Sequence, residues 1–217
     1  MILIADEIKL KCPDFRLGVI SCSVQISDNN ENLWAEINAK IKELESIETT
    51  EISKMPTVAA TRKGYKALGK DPARYRPSAE ALLRRVVKGK GLYMINNVVD
   101  LLNLVSISTG FSIGGYDADK IEGKIELGVG EANEPYEGIG RGALNIESLV
   151  TFRDDKGAFG TPTSDSVRTS VTNETKHFLM IILDFGGLQE LTEAMSIAVD
   201  LLSRFGYVTD LKQSIVN

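Results

Sequence analysis

The 217 residues are 43% apolar and 25% charged with a formal net charge of −5, an ordinary composition that describes a globular domain rather than a wholly disordered, fibrous or disulfide-stapled chain. Cys12 and Cys22 read as reduced interior residues, because a chain of this size can bury a large core without a covalent staple. The opening Met-Ile-Leu-Ile-Ala-Asp turns acidic too soon for a signal peptide and no apolar run is long enough to span a membrane, so the expectation is a cytoplasmic protein of one domain, residues 1–217.

In chain order, Leu17–Ile26 is β-branched and partly alternating, which predicts a strand. Asn32–Ile47 places Leu33, Ile37, Ile41 and Leu44 at helical spacing between Glu and Lys, an amphipathic helix. Met55–Leu68 and Ala79–Lys88 form a second helical pair across the turn-prone GKDPARYRP. In its second member Ala79, Leu82, Leu83, Val86 and Val87 make an apolar stripe, with Ser78 expected as N-cap, Glu80 complementing the helix dipole and Gly89 ending the helix.

This pair carries the main charge signal. Residues 62–90 hold ten Lys/Arg against Asp71 and Glu80, a local charge of +8, so that the remainder of the chain carries −13. Arg62, Lys66, Arg74, Arg76, Arg84, Arg85, Lys88 and Lys90 are candidate phosphate-binding groups. The alternative is two solvated helix faces.

A third helix, Ile95–Ser108, should bury Ile95, Val98, Val99, Leu102 and Val105. It also carries Asn96, Asp100 and Asn103 as one polar row, either a solvated face or a functional one. From Gly110 the chain is strand-rich (FSIGGYDADKI, GKIELGV, SLVTFRD, HFLMIILDF), then an amphipathic helix at Leu188–Phe205 precedes a strand at Tyr207–Leu211. Helices early, strands in the middle and a helix late predict α+β layers rather than a doubly wound sheet.

Standard catalytic and metal signatures are missing. One histidine and two cysteines ten residues apart cannot form a Cys/His zinc cluster, and no calcium loop is present, so no metal and no cofactor is expected. Gly138-Ile139-Gly140-Arg141-Gly142 lacks the spacing of a dinucleotide loop, and Lys88-Gly89-Lys90-Gly91 lacks that of a P-loop. His177, at the entrance to an apolar strand, could face Ser166 and Asp165 in a Ser-His-Asp arrangement, but no nucleophile elbow accompanies it. The run Phe159–Thr169 packs Thr161, Thr163, Ser164, Asp165, Ser166, Arg168 and Thr169 together, which reads as a self-bonded turn or as a binding loop.

The run Asp71–Gly128 joins an Arg-Pro-Ser helix start, a basic helix end, Asn-x-Val-Val-Asp-x-x-Asn and a Gly-Tyr-Asp-x-Asp-Lys-Ile turn in one order. It resembles the B3/B4 domain of the phenylalanyl-tRNA synthetase beta subunit, and more closely free-standing proteins made of that domain; the resemblance extends over roughly Pro56–Asp184. It implies a layered β core with flanking helices and a hydrolytic editing site that removes tyrosine misattached to tRNA, while a chain of this length has no room for the synthetase's other parts. It places Asn103 on the pocket asparagine, Asp165 on or beside the acidic residue that reads a tyrosine hydroxyl, and residues 136–142, with Gly138 and Gly140, on the glycine-rich wall. Gly114 stands at the position of the editing-site histidine, next to Gly115.

The chemistry so implied needs a side-chain pocket, groups that hold the terminal ribose and a positioned water, and no metal. Asn103, Ser164, Asp165 and Ser166 are the candidate catalytic groups and Gly114, Gly115, Gly138, Gly140 and Thr163 the candidate pocket, with tRNA or aminoacyl-tRNA as partner. A non-catalytic RNA or amino-acid binder and a small-molecule enzyme that reused the pocket are the alternatives.

Overall fold

In the computed structural model, which describes residues 2–28, 30–187 and 189–217, the fold is α+β, with two four-stranded sheets and a helical layer. The elements are β1 (Ile2–Ile4), α1 (Asp6–Lys11), β2 (Arg16–Ser23), α2 (Glu31–Leu44), α3 (Thr49–Ile52), α4 (Pro56–Leu68), α5 (Ser78–Val87), α6 (Asn97–Thr109), β3 (Ser112–Asp117), β4 (Ile125–Val129), β5 (Glu137–Gly138), β6 (Gly142–Ala143), β7 (Val150–Asp154), β8 (Gly157–Gly160), β9 (His177–Asp184), α7 (Glu190–Phe205) and β10 (Thr209–Val216). One sheet runs β1-β4-β7-β8, with β1 parallel to β4, and the other runs β10-β2-β9-β3 with every pair antiparallel. The small β5-β6 hairpin stands apart.

Strand β9 separates two cores. Alternate side chains of a strand point to opposite faces, and here both faces are apolar: Phe178, Met180 and Ile182 join the helices, while Leu179, Ile181 and Leu183 join the facing sheet. Each such side chain, fully buried, contributes on the order of 2 kcal/mol. Helix α6 is buried nearly all round, by Val98, Leu101, Leu104, Val105 and Ile107. The β core is built mainly from residues after Gly110, but β2 lies beside β9 in its centre and β1 adds an edge to the other sheet.

The sequence reading differs from this fold at identifiable points. Pro77, not Ser78, precedes the first turn of α5, and its side chain makes no capping bond. Helix α6 begins at Asn97 behind an Asn96 cap whose side chain accepts from the Val99 N–H, which leaves Ile95 exposed rather than buried. The polar row is not a solvated face: Asn96 and Asp100 are buried, and the Asp100 carboxylate accepts from Trp34 Nε1 at 2.8 Å and the Ile95 N–H at 2.9 Å. The closing strand is longer than expected and starts at Thr209. Leu188, the expected start of the last helix, lies outside the described residues. Gly89, at φ +69°, does terminate α5, since its amide donates to the Val86 carbonyl.

Between the sheets, Tyr116 is buried with its ring edge-on to Phe159 at 5.0 Å. Its hydroxyl occupies space that only glycine leaves open: a Cβ at Gly114 or Gly160 would stand 2.1 or 2.2 Å from it. We therefore expect Gly114→Ala to cost about 1–3 kcal/mol through overpacking. Adding Tyr116→Phe should recover part of that loss in chemical denaturation, because it removes the oxygen that the methyl group meets. Equal stability of the single variant and the wild type would contradict this packing.

Candidate functional site

A cavity of about 760 Å³ opens where the edge strand β3 meets α5, α6 and two loops, residues 136–142 and 161–171. A cleft of this size suits a small-molecule ligand or one end of a larger one. Its inner wall holds Asn103 from α6, Gly115 from β3, and Thr163, Ser164 and Asp165 from the second loop. Its outer part is lined by Arg76, Arg84, Arg85, Lys88 and Lys90 from the basic segment and by Arg141 from the β5-β6 turn. Asp165 is the one carboxylate among these lining residues.

The 161–171 loop is held by its own hydroxyls and by two tyrosines. The Thr161 hydroxyl donates to the Ser164 carbonyl at 2.9 Å and accepts from the Ser164 N–H. The Tyr136 hydroxyl donates to the same carbonyl at 2.7 Å, while the Tyr65 hydroxyl shares a 2.9 Å bond with Thr163 Oγ1. The Ile139 N–H donates to the Asp165 carbonyl, and Gly138 bridges Ser166 in antiparallel fashion, so the two loops are zipped together. The density of donors and acceptors in this run thus serves two ends: some groups lock the loop and others face the cavity.

Asp165 is the electrostatically unusual group. Burial pushes its pKa up to about 7, partly opposed by the Tyr116 hydroxyl and the Gly115 N–H, which reaches Oδ2 at 3.2 Å. Oδ1 is sealed from solvent and has no hydrogen-bond partner, and the Tyr116 hydroxyl, although coupled electrostatically to this carboxyl, likewise makes no hydrogen bond of acceptable geometry. A carboxyl that titrates near neutrality changes its charge within the physiological range, here in the wall of the cavity.

The basic segment is organised by one buried acid. Glu80, 1% exposed, receives Arg62 Nη1 and Arg84 Nε, each at 2.8 Å, with Arg76 Nε at 3.7 Å. Three guanidinium groups on one carboxylate leave a net positive cluster. Arg85, Lys88, Lys90 and Arg141 have no carboxylate within ion-pair distance among the described residues, so the cavity mouth remains strongly cationic.

Several expected residues lie elsewhere. Gly114 faces Tyr116 between the sheets, not the cavity; because β3 alternates faces, its neighbour Gly115 lines the site instead. Ser166 is buried and caps a short 3₁₀ turn by accepting from the Arg168 N–H. Gly138 and Gly140 flank the lining residue Ile139 without lining the cavity themselves. Arg62 binds Glu80 and the Pro72 carbonyl, while Lys66 and Arg74 are exposed away from the cavity lining. His177 is exposed and its Nδ1 meets Asp119 at 2.8 Å, so no Ser-His-Asp arrangement forms.

The sequence reading placed Ile139 and Arg141 in the 136–142 wall and Val167 in the polar 159–169 run without singling them out, and it passed over Tyr93; all four line the mouth. No local pattern marks Tyr93, which meets the two loops only through the fold. Among the described residues no group of three or more His, Cys, Asp or Glu could hold a metal ion, and no helix is long and apolar enough to cross a membrane.

These features define a layered α+β domain with a cationic mouth over a cavity of small-molecule size. Residues 60–213 match the family model of the B3/4 domain, and the chain belongs to that family. It is 30% identical over 106 residues to the phenylalanine--tRNA ligase beta subunit of Fusobacterium nucleatum subsp. nucleatum, a match covering 48% of this chain and 13% of that protein. A structural comparison with the N-terminal fragment of the phenylalanyl-tRNA synthetase beta-subunit from Pyrococcus horikoshii covers 99% of this chain and 50% of that one, at a TM-score of 0.49 and 13% identity. The chain thus spans half or less of the proteins it resembles.

The elevated Asp165 pKa has a measurable consequence. Its folded value, about 7, lies above the unfolded one, so between roughly pH 4 and pH 7 the native state binds the extra proton and stability falls as pH rises. Asp165→Asn should therefore be more stable than the wild type at pH 8, with the advantage shrinking towards pH 4. Urea denaturation at both pH values checks the sign; a pH-independent difference would remove the assigned shift.

Proposed function

We propose that this domain binds tRNA or aminoacyl-tRNA and hydrolyses a misattached aminoacyl ester in trans, in the cytoplasm. The observation that carries this reading is one cavity lined both by six cations and by Asn103, Ser164 and Asp165. Phosphates would meet Arg85, Lys88 and Lys90, and the aminoacyl group would enter towards Gly115 and Thr163. The similarity to phenylalanine--tRNA ligase beta subunits supports a tRNA-related ligand.

The chemistry does not depend on a histidine at position 114, since a side chain there would point at Tyr116. Asp165, titrating near pH 7, is suited to accept a proton from an attacking water or to hold the ester's hydroxyl or amino group. Asn103 would orient the same groups. Ser166, committed to its turn, is left without a part.

A non-catalytic binder is the second reading, favoured by the loop hydrogen bonds that occupy much of the local hydroxyl chemistry. Incubating the purified protein with a panel of mischarged tRNAs separates the two. Hydrolysis of at least one is expected; Asn103→Ala should slow it about 10- to 100-fold with near-normal tRNA affinity, and Asp165→Ala should change which amino acid is accepted. Should every tRNA survive intact, the binder reading replaces the hydrolase.

Binding itself should be salt-dependent. Three neutralised phosphates predict a loss of roughly 20- to 40-fold in affinity between 50 and 200 mM salt. Replacing Arg85, Lys88 and Lys90 together by Glu should abolish binding while the fold persists, because these three lack the Glu80 pairing that ties Arg84 to the core. Unchanged binding by this variant would count against the RNA interface.

A further inference from the structure

At the cavity mouth, Tyr93 is 62% exposed, and the guanidinium of Arg85 lies 3.8 Å from its ring centroid. With one face covered by a cation, so large an exposure leaves the other face of the ring open. A cation–π contact also restrains the ring without burying it. Arg85 Nε is buried without a hydrogen-bond partner, so among the described residues the cation–π contact with Tyr93 is the specific polar interaction of its head. Ile139, 48% exposed, and Val167, 47% exposed, line the same cavity from the two loops.

An exposed aromatic ring, apolar edges and adjacent unpaired cations at one opening match the two surfaces of a single-stranded nucleotide, a flat π-face and a phosphate. Base–aromatic stacking combined with a cationic groove is the general means by which proteins hold single strands. An acidic protein surface would match the cations but leave Tyr93 unused, and an apolar partner would leave the Lys and Arg heads of the rim desolvated without counter-charge.

We propose that Tyr93, backed by Arg85, is a base-stacking platform for the single-stranded 3′ segment of an RNA, with Lys88, Lys90 and Arg141 on its phosphates. This rests on the RNA-binding part of the function proposed above and adds to it the group that recognises the strand as single-stranded. The stacked base is one that precedes the terminal nucleotide, since the platform lies at the mouth and the terminal ribose must reach the interior near Asn103 and Asp165. Recognition at Tyr93 is tolerant of base identity because every base presents a π-face.

The test uses the full chain and a single-stranded RNA hexamer ending in CCA, with 2-aminopurine in place of the penultimate base, a matching hexamer abasic at that position, and AMP. At low salt the wild type should quench the 2-aminopurine and bind the base-bearing hexamer about 5- to 150-fold more tightly than the abasic one, the range expected for one stacked base. Tyr93→Ala should remove that preference and the quenching, Tyr93→Phe should keep both, and neither should change the salt slope, because no phosphate contact is lost. Tyr93 is exposed, so both variants should fold.

Equal affinity for the two hexamers, or wild-type behaviour of Tyr93→Ala, overturns the platform. AMP binding as tightly as the hexamer overturns the RNA strand as occupant and assigns a free nucleotide. If the platform fails while a mischarged tRNA is still hydrolysed, only this inference falls; if the hexamer stacks through Tyr93 while every mischarged tRNA stays intact, only the hydrolytic reading falls. No binding of any hexamer by the wild type overturns the platform and the RNA interface together.

Discussion

The two-sided burial of β9 fixes the rest of the molecule. A strand that is apolar on both faces must be covered on both, and here one face takes the helical layer and the other takes the second sheet. With β2 on one side and β3 on the other, β9 leaves β3 as an edge strand of its sheet. The helix-facing side of that edge, at Ile113 and Gly115, together with α5 and α6, forms the cavity. The site is therefore a consequence of sheet order and of a glycine where the wall needs no side chain.

Charge is separated within this cavity. The cations stand at the mouth, where solvent screens them, and the single carboxylate sits inside, where burial outweighs attraction and raises its pKa. Glu80 adds a second kind of order: a fully buried carboxylate surrounded by arginines fixes Arg84 and pulls Arg76 towards the same face, whereas breaking such a pair leaves an uncompensated buried charge. The basic segment is thus partly structural and partly free to meet a ligand, a distinction that charge counting does not make.

Position 114 shows how a strand's alternation limits transfer by motif. Gly114 and Gly160 give the Tyr116 hydroxyl its room, and that ring fills the space between the sheets. The residue that stands at the motif's histidine position therefore answers to packing on the inter-sheet side, and the polar groups beside it on the cavity wall come from the 161–171 loop.

The sequence by itself determined the layered α+β class, the positions of α4, α5, α6 and β9, the basic segment and the polar density of 161–169, because helical period, β-branched runs and charge counts are local properties. It also singled out Asn103, Thr163, Ser164 and Asp165, which meet at one cavity. The tertiary structure alone decided which face each residue takes. Asp100 is withdrawn into a bond with Trp34, Ser166 into a turn cap and Arg62 into the Glu80 cluster, while Tyr93 and the loop that carries Ile139 and Arg141 arrive from separate segments at one opening. The Asp100 and Arg62 roles depend on partners 66 and 18 residues away in the chain, and periodicity in a short window holds no information about such pairs.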